Sequence, residues 1–368
     1  MTEPLLNLRP ASTCRHDCVA LGEVMLRLDP GEGRIRTARN FRVWEGGGEY
    51  NVARGLRKTF GMRTAVVTAL PRNEAGALAE DLILEGGVDT RHILWREADG
   101  VGANTRMGLN FTERGFGVRP ALGCSDRANS AASQMRPDEV DWDRLFGEDG
   151  VRWLHTGGIF AALSTHTAET ALAAVRAARR HGVIISYDLN YRASLWDSHP
   201  DPGAAQRVNR EIAGLVDVLI GDEYAVASCL GLTADKPDPR ATPVDSGPFD
   251  RLVPQLAAEF PDVAILAATL RDAKSASRND WGATLWARGQ RHEAVLRRDL
   301  DILDRVGGGD GFVAGMAWAL MHDLGPQAAV DYGAAHGALA MTTPGDNAMT
   351  SLDEVRALVE GGTGAARR

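Results

Sequence analysis

Short apolar segments rich in β-branched residues alternate with helical patterns along most of the chain. The pattern predicts strands at residues 18–28, 64–70, 151–157, 182–190, 216–222 and 262–270, with helices at residues 49–61, 73–87 and 166–182. Apolar strands that alternate with helices are typical of a parallel sheet covered on both faces. We therefore predict an α/β fold with a doubly wound, mostly parallel sheet. Ligands bind to such sheets beyond the carboxyl ends of the strands.

Two stretches interrupt this alternation. Residues 29–45 are polar and extended, and residues 95–130 alternate apolar and polar positions between turn residues. Both patterns predict antiparallel strands outside the main sheet, which would form a small β-flap lid over its ligand-binding edge. Two plain surface loops are the alternative. A homo-oligomer that forms through the lid is a further candidate arrangement.

The remaining segments predict a simple division of the chain. Residues 1–17 lack the apolar run of a signal peptide and are predicted to be a flexible N-terminal tail, followed by one domain over residues 18–368. Residues 233–250 are rich in proline and aspartate, which predicts an exposed insertion.

Composition and charge argue against several classes of protein. The 368 residues are 44% hydrophobic and 24% charged, as expected for a globular protein with a substantial core. The net charge of -8 argues against nucleic acid or an anionic membrane as the main partner. No apolar run approaches the roughly 18 residues of a membrane span. The chain contains 4 cysteines, a low density that predicts free thiols and a cytoplasmic location.

The run DRVGGGDGFVAGMAWAL at residues 304–320 places three glycines and an aspartate at the start of a predicted helix. A helix N-terminus carries unpaired N–H groups and a partial positive charge, so Gly307, Gly308 and Gly309 are candidates for an anion hole that binds phosphate. Asp310 would repel that phosphate unless it accepts a proton from an attacking hydroxyl, as phosphoryl transfer to an alcohol requires. The helix end also lowers the pKa of a carboxylate, which predicts that Asp310 is ionised at neutral pH. A plain helix cap is the alternative.

A second glycine cluster precedes another predicted helix, in the run GGGEYNVA at residues 46–53. Gly47 and Gly48 permit close approach of the backbone to a ligand. The Asn51 side chain offers both hydrogen-bond donors and an acceptor. This segment is therefore a second candidate for ligand contact.

Polar residues end the strand predicted at residues 182–190, where SYDLNYRASLW places Asp188, Asn190 and Arg192 at the ligand-binding edge. With GGGEYNVA near the N-terminus and DRVGGGD near the C-terminus, the chain from about residue 18 to 360 resembles the ribokinase-like sugar kinases. This group is also called the phosphofructokinase-B family.

The resemblance implies a doubly wound α/β domain with a β-flap lid, ATP as the phosphate donor and Mg²⁺ as its companion. It implies that Asp310 is the catalytic base and that the backbone N–H groups of residues 307–309 form the anion hole. It also implies that Gly47, Gly48 and Asn51 contact the sugar. In many relatives the region that Asp304 opens helps to hold a monovalent cation, so potassium is a further candidate. No residue is assigned to a metal.

The resemblance places the nucleotide contacts in the C-terminal half of the chain. Residues 268–287 align with the segment around the ATP phosphates, with Thr269 and Gly282 nearby. Residues 331–346 align with the segment beside the adenine, where His336 either stacks on the base or packs in the core.

One motif departs from the family pattern. Relatives often have Asn-x-x-Glu after a middle strand, in the region of the Mg²⁺ ion and the phosphates. This chain has Asp222 in place of the asparagine and Ala225 in place of the glutamate. Asp222 is still assigned to the nucleotide site, and Glu223 is close enough in sequence to substitute for the missing glutamate.

Within the family, YDLNYRASLW is most similar to the 2-keto-3-deoxygluconate kinases, in which the arginine of the N-x-R run meets the carboxylate of the sugar acid. The resemblance therefore implies that Asn190 and Arg192 bind the substrate. The run DRANSA at residues 126–131 implies a second arginine, Arg127. The expected function is ATP-dependent phosphorylation of the C6 hydroxyl of 2-keto-3-deoxygluconate or a close keto-deoxy sugar acid.

Three alternatives stay open at this point. Fructokinases share LNYRxxLW runs, so a kinase for a neutral ketose is the first. A sensor that binds a sugar acid or nucleotide without turnover is the second. A dinucleotide-dependent oxidoreductase, which the α/β pattern alone allows, is the third.

Overall fold

The computed structural model describes residues 4–233 and 244–362. Over these residues the strands are β1 (His16–Leu21), β2 (Met25–Asp29), β3 (Arg42–Gly46), β4 (Thr64–Arg72), β5 (Ile93–Glu97), β6 (Leu109–Glu113), β7 (Leu122–Asp126), β8 (Val151–Gly157), β9 (Ile184–Asp188), β10 (Val218–Ile220), β11 (Ile265–Ser275), β12 (Arg278–Ala287), β13 (Gln290–Glu293) and β14 (Arg297–Asp301). The α-helices are α1 (Gly48–Lys58), α2 (Glu74–Glu85), α3 (Gly158–Ala161), α4 (Thr165–Arg180), α5 (Ala193–Trp196), α6 (Ala204–Ala213), α7 (Glu223–Leu230), α8 (Gly247–Asp250), α9 (Val253–Glu259), α10 (Gly308–Met321), α11 (Gly325–Ala340) and α12 (Leu352–Val359).

The main sheet contains ten of the described strands, in the order β13-β12-β11-β10-β9-β8-β1-β4-β5, with β14 paired to β12. The strands from β11 to β5 in this order run parallel, whereas β12 is antiparallel to β11, β13 and β14. One face packs on α4, α6 and α7, and the other packs on α1, α10 and α11. The prediction of a doubly wound, mostly parallel α/β sheet is confirmed.

The apolar run predicted as one strand at residues 18–28 is two strands in two sheets. The chain leaves the main sheet after β1, and β2 begins the smaller sheet. Gly22 is required at the turn, because a Cβ there would lie 2.3 Å from a carboxylate oxygen of Glu49. The next residue, Glu23, is buried and accepts a hydrogen bond from Arg127. A buried carboxylate needs such a partner, so this polar position marks the point where the chain changes sheets.

The smaller sheet has the order β3-β2-β6-β7, and we call it the lid sheet. It confirms the prediction of a small β-flap, with two differences. Residues 95–97 belong to β5 of the main sheet. The central pair, β2 and β6, is parallel, although β2–β3 and β6–β7 are antiparallel as predicted.

The N-terminal segment differs from the prediction of a flexible tail. Leu6 and Cys14 are buried, and the Arg9 guanidinium donates hydrogen bonds to two backbone carbonyl oxygens of the domain. β1 also begins before residue 18. The tail prediction is therefore wrong for residues 4–17, because these apolar contacts hold the segment on the domain. Residues 1–3 lie outside the described residues.

The predicted insertion at residues 233–250 is described only in part, since residues 234–243 lie outside the described residues. Its last residues form α8, where the Phe249 side chain is buried in the core. That end of the segment is therefore not an exposed insertion.

Each of the four cysteines lies within the described residues and is a free thiol, as predicted. Among the helices of the described chain, none has both the length and the apolar character that a membrane span requires.

Candidate active site

A cavity of about 1090 Å³ lies where the lid sheet meets the carboxyl ends of the parallel strands. It is lined by the residues that follow β9 and β10, by the inner part of β11, and by the starts of α1 and α10. The predicted site residues that line it are Gly47, Gly48, Asn51, Arg127, Asn190, Arg192, Asp222, Thr269, Gly307, Gly309 and Asp310. Gly282, Gly308 and His336 are described residues that do not line it.

The glycine loop before α10 is shaped by contacts that exclude side chains. Gly307 is the N-cap residue, with a φ of 82° in the left-handed region that favours glycine. A Cβ on Gly307 would lie 2.0 Å from the backbone oxygen of Asp346. Gly308 packs beneath the loop on Met341, whereas a Cβ on Gly309 would meet open space. The first N–H groups of a helix have no acceptor within it, and this loop presents them at the cavity.

Asp310 is held by a hydrogen bond from α1, the other helix that begins with glycines. Nδ2 of Asn51 donates to Oδ2 of Asp310 at 2.7 Å, and Oδ1 of Asn51 accepts from the Gly47 N–H at 3.3 Å. Oδ1 of Asp310 faces Gly48, where a Cβ would lie 3.5 Å away. In the structure Asn51, predicted as a sugar contact, therefore orients the carboxylate of Asp310.

The protonation of Asp310 differs from the prediction. Burial raises the pKa of Asp310 to about 7; the Asn51 hydrogen bond opposes this shift, and the nearby carboxylates of Asp188 and Asp346 reinforce it. The pKa of Asp310 is therefore raised, not lowered as the helix dipole predicts, because desolvation outweighs the dipole, and the group is only partly ionised at neutral pH. A pKa near the operating pH suits a group that must accept and then release a proton.

Asp188 and Asn190 lie beside Asp310 at the end of β9. The Asn190 N–H donates to Oδ1 of Asp188 at 3.1 Å. Asn190 has a φ of 32°, an unusual conformation that asparagine tolerates better than most residues. Burial raises the pKa of Asp188 to about 6. Such backbone conformations occur at functional sites, and this one keeps both polar side chains at the cavity.

The two predicted substrate arginines have different surroundings. Arg192 is exposed to the cavity, and the only hydrogen bond that its side chain makes with a described residue runs from Nη1 to the backbone oxygen of Tyr191, at 3.1 Å. Arg127 is paired with the buried Glu23, which accepts from its Nε at 2.9 Å and also accepts from the Ser130 hydroxyl. Glu23 therefore fixes Arg127 in place, whereas Arg192 is available to a ligand.

Three further arginines line the cavity that the sequence reasoning missed, and the first of them, Arg251, follows α8. Arg271 lies on β11, and Arg305 precedes the glycine loop. Neither side chain makes an ion pair or a hydrogen bond with another residue of the described chain. Their positions in the runs ATLRD and DRVGGGD, beside motif residues at the ligand edge, were the available signal.

The departure at Asp222 has a local structural reason. Asp222 is the N-cap of α7, and its Oδ1 accepts from the Ala225 N–H at 2.8 Å. Asparagine and aspartate cap helices about equally well, so the substitution preserves the cap. Ala225 packs in the apolar core, while Glu223 lines the cavity next to Asp222.

Two residues assigned to the nucleotide by resemblance lie elsewhere. His336 is fully buried, where its Nδ1 lies 2.7 Å from the Gly311 backbone oxygen and its Nε2 lies 3.1 Å from the Thr59 hydroxyl. Burial lowers its pKa to about 4. With both ring nitrogens engaged, His336 packs in the core and does not stack on a base. Gly282 lies on β12 in contact with Leu296, outside the cavity lining.

A doubly wound sheet, a lid, and a carboxylate beside a glycine-rich helix N-terminus together define the class of ribokinase-like phosphotransferases. The model of the pfkB family of carbohydrate kinases matches residues 15–241. The chain therefore belongs to that family, whose members transfer phosphate to an alcohol group. The oxidoreductase alternative is wrong.

Similar proteins include kinases of sugar acids. The chain is 30% identical over 347 residues to a 2-dehydro-3-deoxygalactonokinase of Haloferax volcanii, an alignment that covers 94% of this chain and 97% of that one. The crystal structure of 2-dehydro-3-deoxygluconokinase from Thermotoga maritima is 31% identical, with a TM-score of 0.84 over 94% of this chain and 99% of that one. A fructokinase structure with bound ATP from Xylella fastidiosa shares the fold at 22% identity, with a TM-score of 0.71 over 94% and 99% of the two chains.

Proposed function

We propose that the protein transfers the γ-phosphate of ATP to the C6 hydroxyl of 2-keto-3-deoxygluconate or a close keto-deoxy sugar acid. The observation that carries this proposal is the meeting of Asp310, the glycine loop and the available Arg192 in one cavity. The names of the Haloferax and Thermotoga relatives support a sugar acid as substrate. The ATP in the Xylella structure supports ATP as donor.

In the proposed step Asp310 accepts the proton of the sugar hydroxyl while the hydroxyl oxygen bonds to the γ-phosphorus. The bond between that phosphorus and its bridging oxygen breaks, and ADP leaves with the electron pair. The first N–H groups of α10, at the loop of Gly307 and Gly309, stabilise the transferring phosphate. Asn51 keeps one oxygen of Asp310 hydrogen-bonded, which leaves the other oxygen for the proton.

The carboxylate of the sugar acid lies at the opposite end of the molecule from C6. A guanidinium binds a carboxylate through two parallel hydrogen bonds, which fix orientation as well as position. Arg192 is suited to this contact because no carboxylate of the described chain pairs with it. Binding there selects the hydroxyl that reaches Asp310. Arg271 and Arg305 are the cationic groups suited to the phosphates of ATP.

Mg²⁺ is the companion of ATP that the family implies. No group of three or more acidic, histidine or cysteine residues in the described chain is arranged to hold a metal; Mg²⁺ usually binds one or two carboxylates together with substrate phosphates. Asp222 and Glu223 fit this role, since both line the cavity after β10 and the Asp222 cap uses only one carboxylate oxygen. When bound, Mg²⁺ neutralises charge on the phosphates.

The test is ADP release with ATP–Mg²⁺ and four acceptors: 2-keto-3-deoxygluconate, its C4 epimer, 5-keto-2-deoxygluconate and fructose. We expect one of the 2-keto-3-deoxy acids to exceed fructose in kcat/KM by about tenfold or more, because a site built for a carboxylate is left unpaired by a neutral sugar. Phosphorus NMR of the product should place the phosphate on C6. A preference for fructose would identify a fructokinase, and ATP binding without turnover on any acceptor would identify a sensor.

A further inference from the structure

A buried ion cluster lies between the lid sheet and the glycine loop. Arg27, on β2, has a side chain that is 1% exposed. Its Nη1 donates to Asp346 at 2.5 Å, and its Nη2 donates to Asp304 at 2.5 Å and to Asp29 at 3.2 Å. A buried guanidinium needs paired N–H groups; both Nη atoms of Arg27 are paired, and its Nε has no hydrogen-bond partner among the described residues. We call these four residues the Arg27 cluster.

The three aspartates of the Arg27 cluster come from three parts of the chain. Asp29 is on β2 itself, Asp304 precedes the glycine loop, and Asp346 follows α11. Arg27 therefore connects the lid sheet to both of the loops that shape the anion hole. A long-range contact of this kind restricts how far the lid and the loops can move apart.

Contacts around the cluster extend to both glycine-flanked helices. The Asp346 backbone oxygen closes the space above Gly307, and its Oδ2 lies 2.3 Å from the place of a Cβ on Gly46, just before α1. Asp346 thus contacts the segment before Asn51 through its carboxylate and the segment before Asp310 through its backbone oxygen. A displacement of Asp346 would move both partners of the hydrogen bond that orients the base.

Both carboxylate oxygens of Asp304 already accept hydrogen bonds within the protein. Its Oδ1 accepts from the Val306 N–H at 3.2 Å. Its Oδ2 accepts from Arg27 and from the Gly345 N–H, the latter at 3.4 Å. The region in which relatives hold a monovalent cation therefore does not fit potassium in this protein, because a side-chain cation already occupies the carboxylate.

We propose that Arg27 is a positioning residue that takes the place of a monovalent cation at the glycine loop, so that turnover requires no added potassium. The guanidinium donates to both Asp304 and Asp346, offsets part of their charge and thereby fixes the loop over which phosphate is transferred. The inference rests on the proposed kinase function wherever kcat is measured. The effect of potassium on the unfolding temperature tests ion binding without any turnover.

The first experiment compares the wild-type protein in KCl, NaCl and tetramethylammonium chloride at equal ionic strength. We expect the same kcat and the same unfolding temperature in all three salts. A large loss of kcat in tetramethylammonium, reversed by KCl, would overturn the proposal. If no sugar is phosphorylated, the proposed function fails, while the unfolding temperatures still report whether potassium binds.

The second experiment replaces Arg27 by methionine, which keeps an unbranched apolar stem and removes the guanidinium and its charge. We expect kcat to fall by about 100-fold, the cost of a small misplacement of catalytic groups, with a smaller change in KM. Potassium should raise both kcat and the unfolding temperature of Arg27→Met more than tetramethylammonium does, since Asp304 and Asp346 are left without their cation, while Asp29 keeps its ion pair with Arg114. Unchanged kcat, or no response to potassium, would contradict a cation-replacing role.

Two further variants complete the design. Arg27→Lys should retain more kcat than Arg27→Met, because an ammonium keeps the charge but not the fork. If Arg27→Met does not fold, this variant and the wild-type salt series decide the question, and a potassium response in the wild type would reject the proposal. Arg72→Met is the matched control: Arg72 pairs with Glu97 on the exposed edge of β4 and β5, and its kcat should not change.

Discussion

The Arg27 cluster and the cavity both adjoin the glycine loop, share Asp346, and are rich in charge. In the cluster, Arg27 contacts three carboxylates, and Asp304 uses both oxygens within the protein. In the cavity, Arg192 and Arg271 have no carboxylate partner in the described chain, and Asp310 accepts one hydrogen bond from a side chain. Charges that are paired internally hold the geometry, whereas those left with unused hydrogen-bonding capacity are the ones a ligand can engage.

The same distinction separates two carboxylates at helix N-termini. Asp222 accepts a hydrogen bond from the Ala225 N–H of its own helix, so one of its oxygens is used to cap that helix. Asp310 also begins a helix, but its recorded partner is Asn51 on a different one. The position of a carboxylate at a helix start therefore does not by itself show whether it caps the helix or serves a ligand. Its hydrogen-bond partner distinguishes the two.

The strongest test of this comparison is Asp310→Asn. Loss of a general base typically lowers the rate by about 10²–10⁴-fold, so we expect kcat to fall by that factor while ATP still shifts the unfolding temperature. Asp262→Asn is the control. Asp262 is an exposed ion-pair partner of Arg179, and it lies at the amino end of β11, away from the carboxyl ends of the strands where the cavity is. Near-normal turnover in Asp310→Asn would remove Asp310 from the role of base.

The next effect is that of Arg192→Leu on the sugar acid. Losing one charge-assisted hydrogen bond costs about 1.5–3 kcal/mol, or roughly 10–100-fold in kcat/KM. Activity on fructose should fall much less, and Arg192→Lys should recover only part of the loss. An equal loss on both sugars would show that Arg192 does not read the carboxylate.

The pH dependence of kcat/KM tests the raised pKa of Asp310, which is about 7. The base must be ionised, so activity should be level above this pKa and fall about tenfold per pH unit below it. Asp310→Asn should abolish this limb of the profile along with most of the rate. A wild-type profile that stays level down to pH 5 would mean that bound ligands depress the pKa or that another group is the base.

The smallest expected effect concerns stability. Because the pKa of Asp310 is higher in the folded protein than its ordinary value of 3.8, the folded state binds more protons than the unfolded state between those two values. The free energy of unfolding should therefore decrease as pH rises through this interval. Asp310→Asn, which carries no charge, should flatten the decrease and be more stable than the wild type at pH 8. Chemical denaturation at pH 5 and pH 8 gives the free energy of unfolding of both proteins. If Asp310→Asn is less stable than the wild type at pH 8, the carboxylate of Asp310 does not carry the cost of a buried charge.

The parts of the molecule that were predictable from sequence are those that depend on neighbouring residues. Apolar periodicity located the parallel strands, and the glycines before α10 located a helix start that lines the cavity together with Asp310. The separation of β1 from β2 was missed, because the apolar pattern continues across it and the deciding contact, between Glu23 and Arg127, joins residues 104 positions apart.

The rest depended on distant partners. Arg27 reaches Asp304 and Asp346 across 277 and 319 residues, and no local pattern reports such a pairing. The pKa of Asp310 follows from burial by the whole fold, which outweighs the helix-end effect that the sequence indicates. The resemblance to the family also assigned His336 to the segment beside the adenine. In the structure its contacts with Thr59 and Gly311 hold it in the core.

The short connection between β1 and β2 has a consequence for the mechanical coupling of the two sheets. Only residues 22–24 separate the main sheet from the strand that carries Arg27, and the Arg27 side chain is itself paired with Asp304 beside the glycine loop. β2 is therefore joined to the main sheet through its backbone and to the glycine loop through a side chain. A shift of either sheet would be transmitted to the start of α10.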